Sequence, residues 1–334
     1  MKLDKQHIGV LGGGAWGTAL AQVAANAGNK VTIWAFEADV VNDINQNNAN
    51  SLFLPNIALD KNISATSDIS QLGDMDLVLA VVPAQFTRQT LVKFSQFARK
   101  GLPIALCSKG IEQSTLKFMT DVLAETIPQA IPVIISGPSF AKDVAIGKPT
   151  AVTLACNDRE LGEKLNQMIG IATFRPYWVD DLIGTEIGGA VKNVLAIACG
   201  MADGRGLGES ARAALITRGF TEMTRLGVKL GARPETLMGL CGLGDLVLTC
   251  SSTSSRNFSL GRALGQGQSV EQALSGKLSV AEGAATAPAL AALAKREGIE
   301  MPICQVVDAI LRENLTVDGA INALLNRPFR TEGI

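Results

Sequence analysis

One lysine lies where the chain is otherwise almost wholly apolar. Lys192 sits in EIGGAVKNVL at 186–195, behind Gly188 and Gly189. Glycines inside a helical segment cost about 1 kcal/mol each relative to alanine, so a close contact must compensate for them. Two readings of the lysine are open. It can snorkel to water from a tight helix crossing. Alternatively, partly desolvated and with its pKa lowered toward neutrality, it can donate and accept a proton. The second reading has weight because His7, ahead of the first strand-like run, is the single histidine. Histidine bases and histidine metal sites are thereby largely excluded, acid–base work falls to Lys, Asp or Glu, and no metal is expected.

A second polar group stands at CGLGDLVLTC (241–250), followed by Ser254, Ser255, Arg256 and Asn257 and then by FSLGRALGQ. An arginine among hydroxyl and amide donors at a helix start suits a phosphate or carboxylate. The alternative is a serine-rich N-cap loop with a solvated Arg256. Asp245, in a Gly-x-Gly-Asp turn, is either part of such a site or an Asx-type turn residue.

The third motif is GGGAWG at 12–17, with Gly12, Gly14 and Gly17 in GxGxxG spacing between a strand-like run and the amphipathic TALAQVAANAG. The first glycine allows the tight turn, the second lets a pyrophosphate approach the backbone, and the third allows close helix packing. The helix N-terminus behind them favours the anion. The next strand-like run, KVTIWA, ends near Glu37, about 20 residues on, where a carboxylate can accept ribose hydrogen bonds. Three further breaks, Val82-Pro83, Ser108-Lys109-Gly110 and Ser136-Gly137-Pro138-Ser139, fall at the carboxyl ends of apolar runs, the edge at which open parallel sheets bind ligands.

The elements that must carry these groups divide the chain. IGVLGG, KVTIWA, DLVLAVV, PIALCS, IPVIIS and TAVTLAC alternate with helix-like segments up to about residue 180. Such a pattern requires a parallel sheet covered on both faces, so the expected class is α/β, a doubly wound Rossmann-type domain over 1–181. Thereafter apolar residues recur at helical spacing, in 182–203, 208–230, 284–297, 302–313 and 316–325. An all-helical second domain over 182–334 is expected.

The 334 residues are 47% hydrophobic and 18% charged, enough apolar material for large cores and a subunit interface. With 30 basic against 31 acidic residues there is no field to attract nucleic acid or a membrane surface. The opening residues lack a signal peptide's apolar run, and Glu186 and Lys192 interrupt the most apolar helix, so a cytoplasmic protein without a membrane span is expected. The six cysteines show no CxxC pair and read as reduced and buried.

Taken together and in order, GGGAWGTALA, VVPAQ, SKGIE, ISGPSFAKD, GGAVKNVLAIACGMADG, ALITRGFTEM, GLCGLGDLVLTC, SSRN and Glu282-Gly283 resemble the bacterial-type NAD(P)-dependent glycerol-3-phosphate dehydrogenases over almost the whole chain. The resemblance implies interconversion of glycerol 3-phosphate and dihydroxyacetone phosphate with NAD or NADP, supplying phospholipid synthesis. It places the cofactor at Ala15, Trp16, Lys109, Ala141, Arg256, Val280 and Glu282, beside the glycine turn and Ala35-Phe36-Glu37. Substrate contacts fall at Lys109, Gly137, Ser139, Lys192, Asp245, Ser255, Arg256 and Asn257, with Lys192 as the acid–base group. A homodimer is the expected assembly. Relatives often carry a basic residue after the second strand, and this chain has Ala35-Phe36-Glu37 there. The rival readings are a two-domain dehydrogenase of another small hydroxy acid and a non-catalytic NAD(H)-binding regulator.

Overall fold

Short runs of β-branched and apolar residues form the strands of one sheet, the central ones buried on both faces. The computed structural model describes residues 5–275, 281–329 and 331; Val280 lies outside them. The chain divides into two units, Met1–Ser108 with Phe118–Leu182, and Lys109–Lys117 with Ile183–Ile334.

The first unit runs β1 (His7–Leu11), α1 (Ala15–Asn26), β2 (Lys30–Trp34), α2 (Ala38–Asn47), β3 (Ile63–Thr66), β4 (Leu77–Ala80), α3 (Ala84–Ser95) and β5 (Pro103–Leu106). It continues with α4 (Met119–Thr126), β6 (Ile131–Ser136), α5 (Ala141–Ala145), β7 (Thr150–Ala155), α6 (Arg159–Ile169) and β8 (Phe174–Val179). The sheet order is β3-β2-β1-β4-β5-β6-β7-β8. Its first six strands are parallel, with the order reversing between β1 and β4, the position where doubly wound sheets take their ligands. One core holds Ile8, Val10, Val31 and Ile33, and a second, on the opposite face of the sheet, holds Leu11, Val78, Ile104 and Leu106.

Two features depart from the sequence reading. β7 runs antiparallel to β6, and β8 then pairs parallel to β7, so the sheet is mostly rather than wholly parallel. β3 (ISAT) and β8 (FRPYWV) were not expected as strands; their exposed or polar positions break the continuous apolar pattern.

The second unit is helical: α7 (Leu182–Gly204), α8 (Gly208–Lys229), α9 (Pro234–Met238), a π-helical turn at Leu240–Gly244 and α10 (Asp245–Cys250). After these come α11 (Arg256–Gly265), α12 (Val270–Leu274), α13 (Glu282–Glu297), α14 (Pro302–Leu311) and α15 (Val317–Leu325). α7 is long and apolar enough to cross a membrane, yet 89% of that stretch is buried, and it is a core helix. It crosses α11 through glycine on both sides. A β-carbon at Gly200 would overlap the Phe258 carbonyl, and one at Gly261 the Ile197 carbonyl. The same holds one turn on for Gly204 with Arg262 and for Gly265 with Met201. The buried Glu222 of α8 caps α14 from across the fold, its Oε1 accepting from Ile303 N at 2.8 Å and its Oε2 from Cys304 N at 3.2 Å. The six cysteines are buried, and none forms a disulfide among the described residues.

Candidate active site

In the first unit the glycines of the 12–17 turn sort by what surrounds them. Gly12 has φ +125° and its β-carbon would lie 2.9 Å from the Val81 carbonyl oxygen. A β-carbon at Gly17 would overlap the Gly12 carbonyl, so α1 packs directly on the turn. At Gly14 a β-carbon would meet nothing within 4 Å. Gly14 is also the N-cap of α1, without side-chain cap or acidic residue in the first turn, so the positive end of the helix is unneutralised. An open second glycine over an uncapped helix start fits the pyrophosphate of a dinucleotide. Buried Asn50, which the sequence reading missed, fixes the turn by donating to Gly13 O and Thr18 Oγ1, both at 2.8 Å.

Ala15, Trp16 and Ala141 pack against the core beneath this turn. Ala35 is fully buried, and a β-carbon at Gly13 would lie 2.7 Å from its methyl group, so its side chain supports the turn. Phe36 is 79% exposed and Glu37, the N-cap residue of α2, is exposed. Gly137 follows β6 with φ +153°, its β-carbon position 2.9 Å from Val152 Cα, and its carbonyl accepts from Ser139 Oγ at 3.0 Å.

The second unit assembles the charged groups. Gly188, one turn before Lys192, lets α7 meet the π-helical turn so closely that its β-carbon would be 2.5 Å from Cys241 O. A β-carbon at Gly242 would overlap the Leu237 carbonyl, which explains glycine there too. The approach brings Asp245, at the start of α10, to Lys192. Lys192 Nζ donates to Asp245 Oδ1 at 3.0 Å and to Thr249 Oγ1 at 2.9 Å. Lys109 Nζ donates to the other carboxylate oxygen, Asp245 Oδ2, at 2.6 Å. Asp245 is 1% exposed and Lys192 7%, so neither is a surface turn residue or a snorkelling lysine.

Burial lowers the Lys192 pKa most; Asp245 opposes it, Lys109 adds to it and Glu282 gives a smaller upward pull, and the balance leaves it at about 8. Burial pushes the Asp245 carboxyl up, but the Lys109 and Lys192 ammoniums outweigh it and hold it below the usual carboxylate range. The site thus keeps an ionised carboxylate between two amines, one of them close to titrating at neutral pH.

Amide side chains tie this centre to the rest of the unit. Asn193 Nδ2 donates to Lys109 O at 3.0 Å, and Asn257 Nδ2 donates to Asn193 Oδ1 at 2.9 Å. Asn257 Oδ1 accepts from Gly283 N at 3.0 Å, which sets the first turn of α13, where Glu282 stands. Asn257 thus has one amide N–H and its carbonyl oxygen engaged within the protein, leaving its second Nδ2 N–H and its backbone N–H, in the first turn of α11, for a ligand. Ser255 caps that helix, its Oγ accepting from Phe258 N at 3.2 Å. Arg256 beside it is exposed and has no acidic partner among the described residues. Asn193 and Thr249 were not singled out from the sequence, although Thr249 lies four residues after Asp245, on the same helix face.

A mostly parallel, doubly wound sheet with a dinucleotide-type glycine turn, in one chain with a helical unit holding a buried lysine–aspartate–lysine group, defines an NAD(P)-dependent oxidoreductase of the two-domain dehydrogenase type. Residues 7–162 match the family model described as NAD-dependent glycerol-3-phosphate dehydrogenase N-terminus, and residues 181–322 match the corresponding C-terminus model. The glycerol-3-phosphate dehydrogenase (NAD(P)+) of Maricaulis maris is 59% identical over 329 residues, covering 98% of this chain and 99% of that protein. That of Caulobacter vibrioides is 59% identical over 327 residues, with the same coverage of each. The crystal structure of glycerol-3-phosphate dehydrogenase from Coxiella burnetii superposes with a TM-score of 0.93 at 40% identity, covering 97% of this chain and 99% of that one. The chain belongs to the NAD(P)-dependent glycerol-3-phosphate dehydrogenase family, as its motifs lead one to expect.

Proposed function

We propose that the chain interconverts sn-glycerol 3-phosphate and dihydroxyacetone phosphate, with Lys192 handling the proton at the C2 oxygen. The observation that carries this reading is the Lys192 ammonium itself. Two of its N–H groups are engaged by Asp245 and Thr249, which fixes its direction and leaves the remaining N–H for a substrate oxygen. A bound nicotinamide coenzyme supplies or accepts the hydride at C2.

During ketone reduction Lys192 protonates the developing alkoxide, and in the reverse direction the neutral amine takes the hydroxyl proton. Lys109 adds positive field at the same oxygen. Asp245, kept ionised, orients both amines and takes no proton itself. The substrate phosphate is held by the Arg256 guanidinium and by the Arg256 and Asn257 backbone N–H groups at the start of α11, with the Ser255 hydroxyl beside them. In the first unit, Gly137 and Ser139, in the loop after β6, are the candidate substrate contacts. The glycine turn, Ala15, Trp16, Phe36, Glu37 and Ala141 hold the dinucleotide.

The first unit serves the dinucleotide and the helical unit the substrate, in a cytoplasmic homodimer supplying glycerol 3-phosphate for phospholipid synthesis. The test is coenzyme oxidation, followed by absorbance, with dihydroxyacetone phosphate and with unphosphorylated dihydroxyacetone. Turnover that depends on the phosphate supports the reading; equal rates on both ketones, or none with either coenzyme, sink it.

A further inference from the structure

We infer that the coenzyme site selects NAD(H) over NADP(H), through Phe36 and Glu37. The inference rests on the dinucleotide reading of the glycine turn and names which dinucleotide it takes.

In a doubly wound sheet the adenosine ribose lies against the carboxyl end of the second strand. There β2 ends at Trp34, Ala35 is buried under the turn, and Phe36 and Glu37 are the side chains offered to solvent. A carboxylate at this place accepts hydrogen bonds from ribose hydroxyls and repels a 2′-phosphate. The exposed Phe36 ring offers a face on which an adenine can stack, and it carries no charge.

The charge survey of this corner is one-sided. No Lys, Arg or His occurs between Lys30 and Lys61, while Glu37, Asp39, Asp43 and Asp60 do. β1, the turn and α1, from Ile8 to Asn29, contain no charged residue. Beyond β3, at the same sheet edge, the next charge is Asp68, exposed and held ionised by hydrogen bonds from Ser70. The two flanking lysines stand at the other edge. Lys30 opens β2, and Lys61 precedes β3, whose Ile63 pairs with Val31. The length of β2 puts them about 13 Å or more from its carboxyl end, beyond a Debye length in ordinary salt. A 2′-phosphate would meet carboxylates there and no cation of this edge.

The experiment is calorimetric titration of the whole protein with NADH and with NADPH, at low and high salt, for wild type, Phe36→Arg and Glu37→Gln. NADH should bind at least about tenfold more tightly than NADPH, a difference of about 1.4 kcal/mol. The gap should narrow as salt screens the repulsion. Phe36→Arg, at an exposed position, should tighten NADPH relative to NADH by about tenfold through the planar guanidinium. Glu37→Gln should narrow the gap from both sides. Equal or tighter binding of NADPH by the wild type, or a gap unmoved by salt and by both substitutions, overturns the inference and leaves the dinucleotide reading standing. Binding of neither coenzyme overturns both.

Discussion

Gly188 lies against the carbonyl of Cys241, so close that a methyl group at position 188 would sit 2.5 Å from that oxygen. The contact is backbone against α-carbon, with no side chain to give way. Gly188→Ala gains about 1 kcal/mol in helix propensity, but overpacking of this kind costs about 1–3 kcal/mol, and the separation of Lys192 from Asp245 grows with it. The expected outcome is a lower unfolding temperature together with a fall in kcat. A variant with wild-type values of both would show that this approach does not set the site.

The pKa of Lys192, about 8, makes the two directions of the reaction titrate oppositely. Reduction needs the ammonium, so its kcat/KM should fall as pH rises through about 8; oxidation needs the amine and should rise over the same interval. Lys192→Ala should lower turnover by about 10² to 10⁴ while the fold persists. A pH profile flat between about 7 and 9 in both directions would remove Lys192 from proton transfer.

Asp245 holds the two amines together, so its loss has a signature beyond lower activity. Breaking a buried pair costs about 3–5 kcal/mol, and Asp245→Ala should destabilise the fold accordingly. Asp245→Asn keeps the shape but leaves Lys109 and Lys192 facing each other without an anion. The Lys192 pKa must then fall, moving the limb of the reduction profile to lower pH. An unmoved limb in a folded Asp245→Asn enzyme would contradict the assignment.

Arg256 stands exposed, without an acidic partner among the described residues, at the start of a helix capped by Ser255. Truncating one side of a charged, partly buried contact costs about 2–5 kcal/mol. Arg256→Ala should therefore weaken kcat/KM for dihydroxyacetone phosphate by roughly 30-fold to several thousand-fold, and Arg256→Lys should recover only part of it. The discriminating comparison uses the unphosphorylated ketone, whose rate should change far less. If the advantage of the phosphorylated substrate survives in the alanine variant, the phosphate is held elsewhere.

Glu222 predicts a pH dependence of stability unrelated to catalysis. Burial pushes its carboxyl up to about 7, against the downward pull of the Ile303 and Cys304 N–H groups and of Arg225. A raised carboxyl binds its proton more tightly in the folded chain. Its stabilising contribution is full below the unfolded value of about 4.5 and is lost as pH rises through about 7, amounting to about 3 kcal/mol. Unfolding temperatures measured across this range should decline, and Glu222→Gln should flatten that part of the curve. An equally steep decline in the variant would assign the dependence to another group.

The glycine turn, the apolar strands and the long helices were legible because each is a local pattern with one physical solution. Lys192, Asp245 and Lys109 were legible as chemistry but not as a triad. Their union depends on Gly188 meeting Cys241, a contact between residues 53 apart in sequence that no spacing reveals. The Asn193–Asn257 link was hidden for the same reason. Lys109 read as a loop at the edge of the sheet, yet Lys109–Lys117 belong with the second unit, where Gln113 Nε2 donates to Ala285 O at 2.7 Å. β3 and β8 escaped because a strand with polar positions carries too weak a pattern over four to six residues.

The crossing of α7 and α11 joins two backbones with no side chain between them at Gly200, Gly204, Gly261 and Gly265. In the proposed mechanism α7 carries the proton donor and α11 begins with the phosphate grip. No rotamer can lengthen or shorten the step from one helix to the other, so the crossing works as a ruler. In the proposed mechanism that fixed step sets the distance between the helices from which the Lys192 and Arg256 side chains reach the substrate.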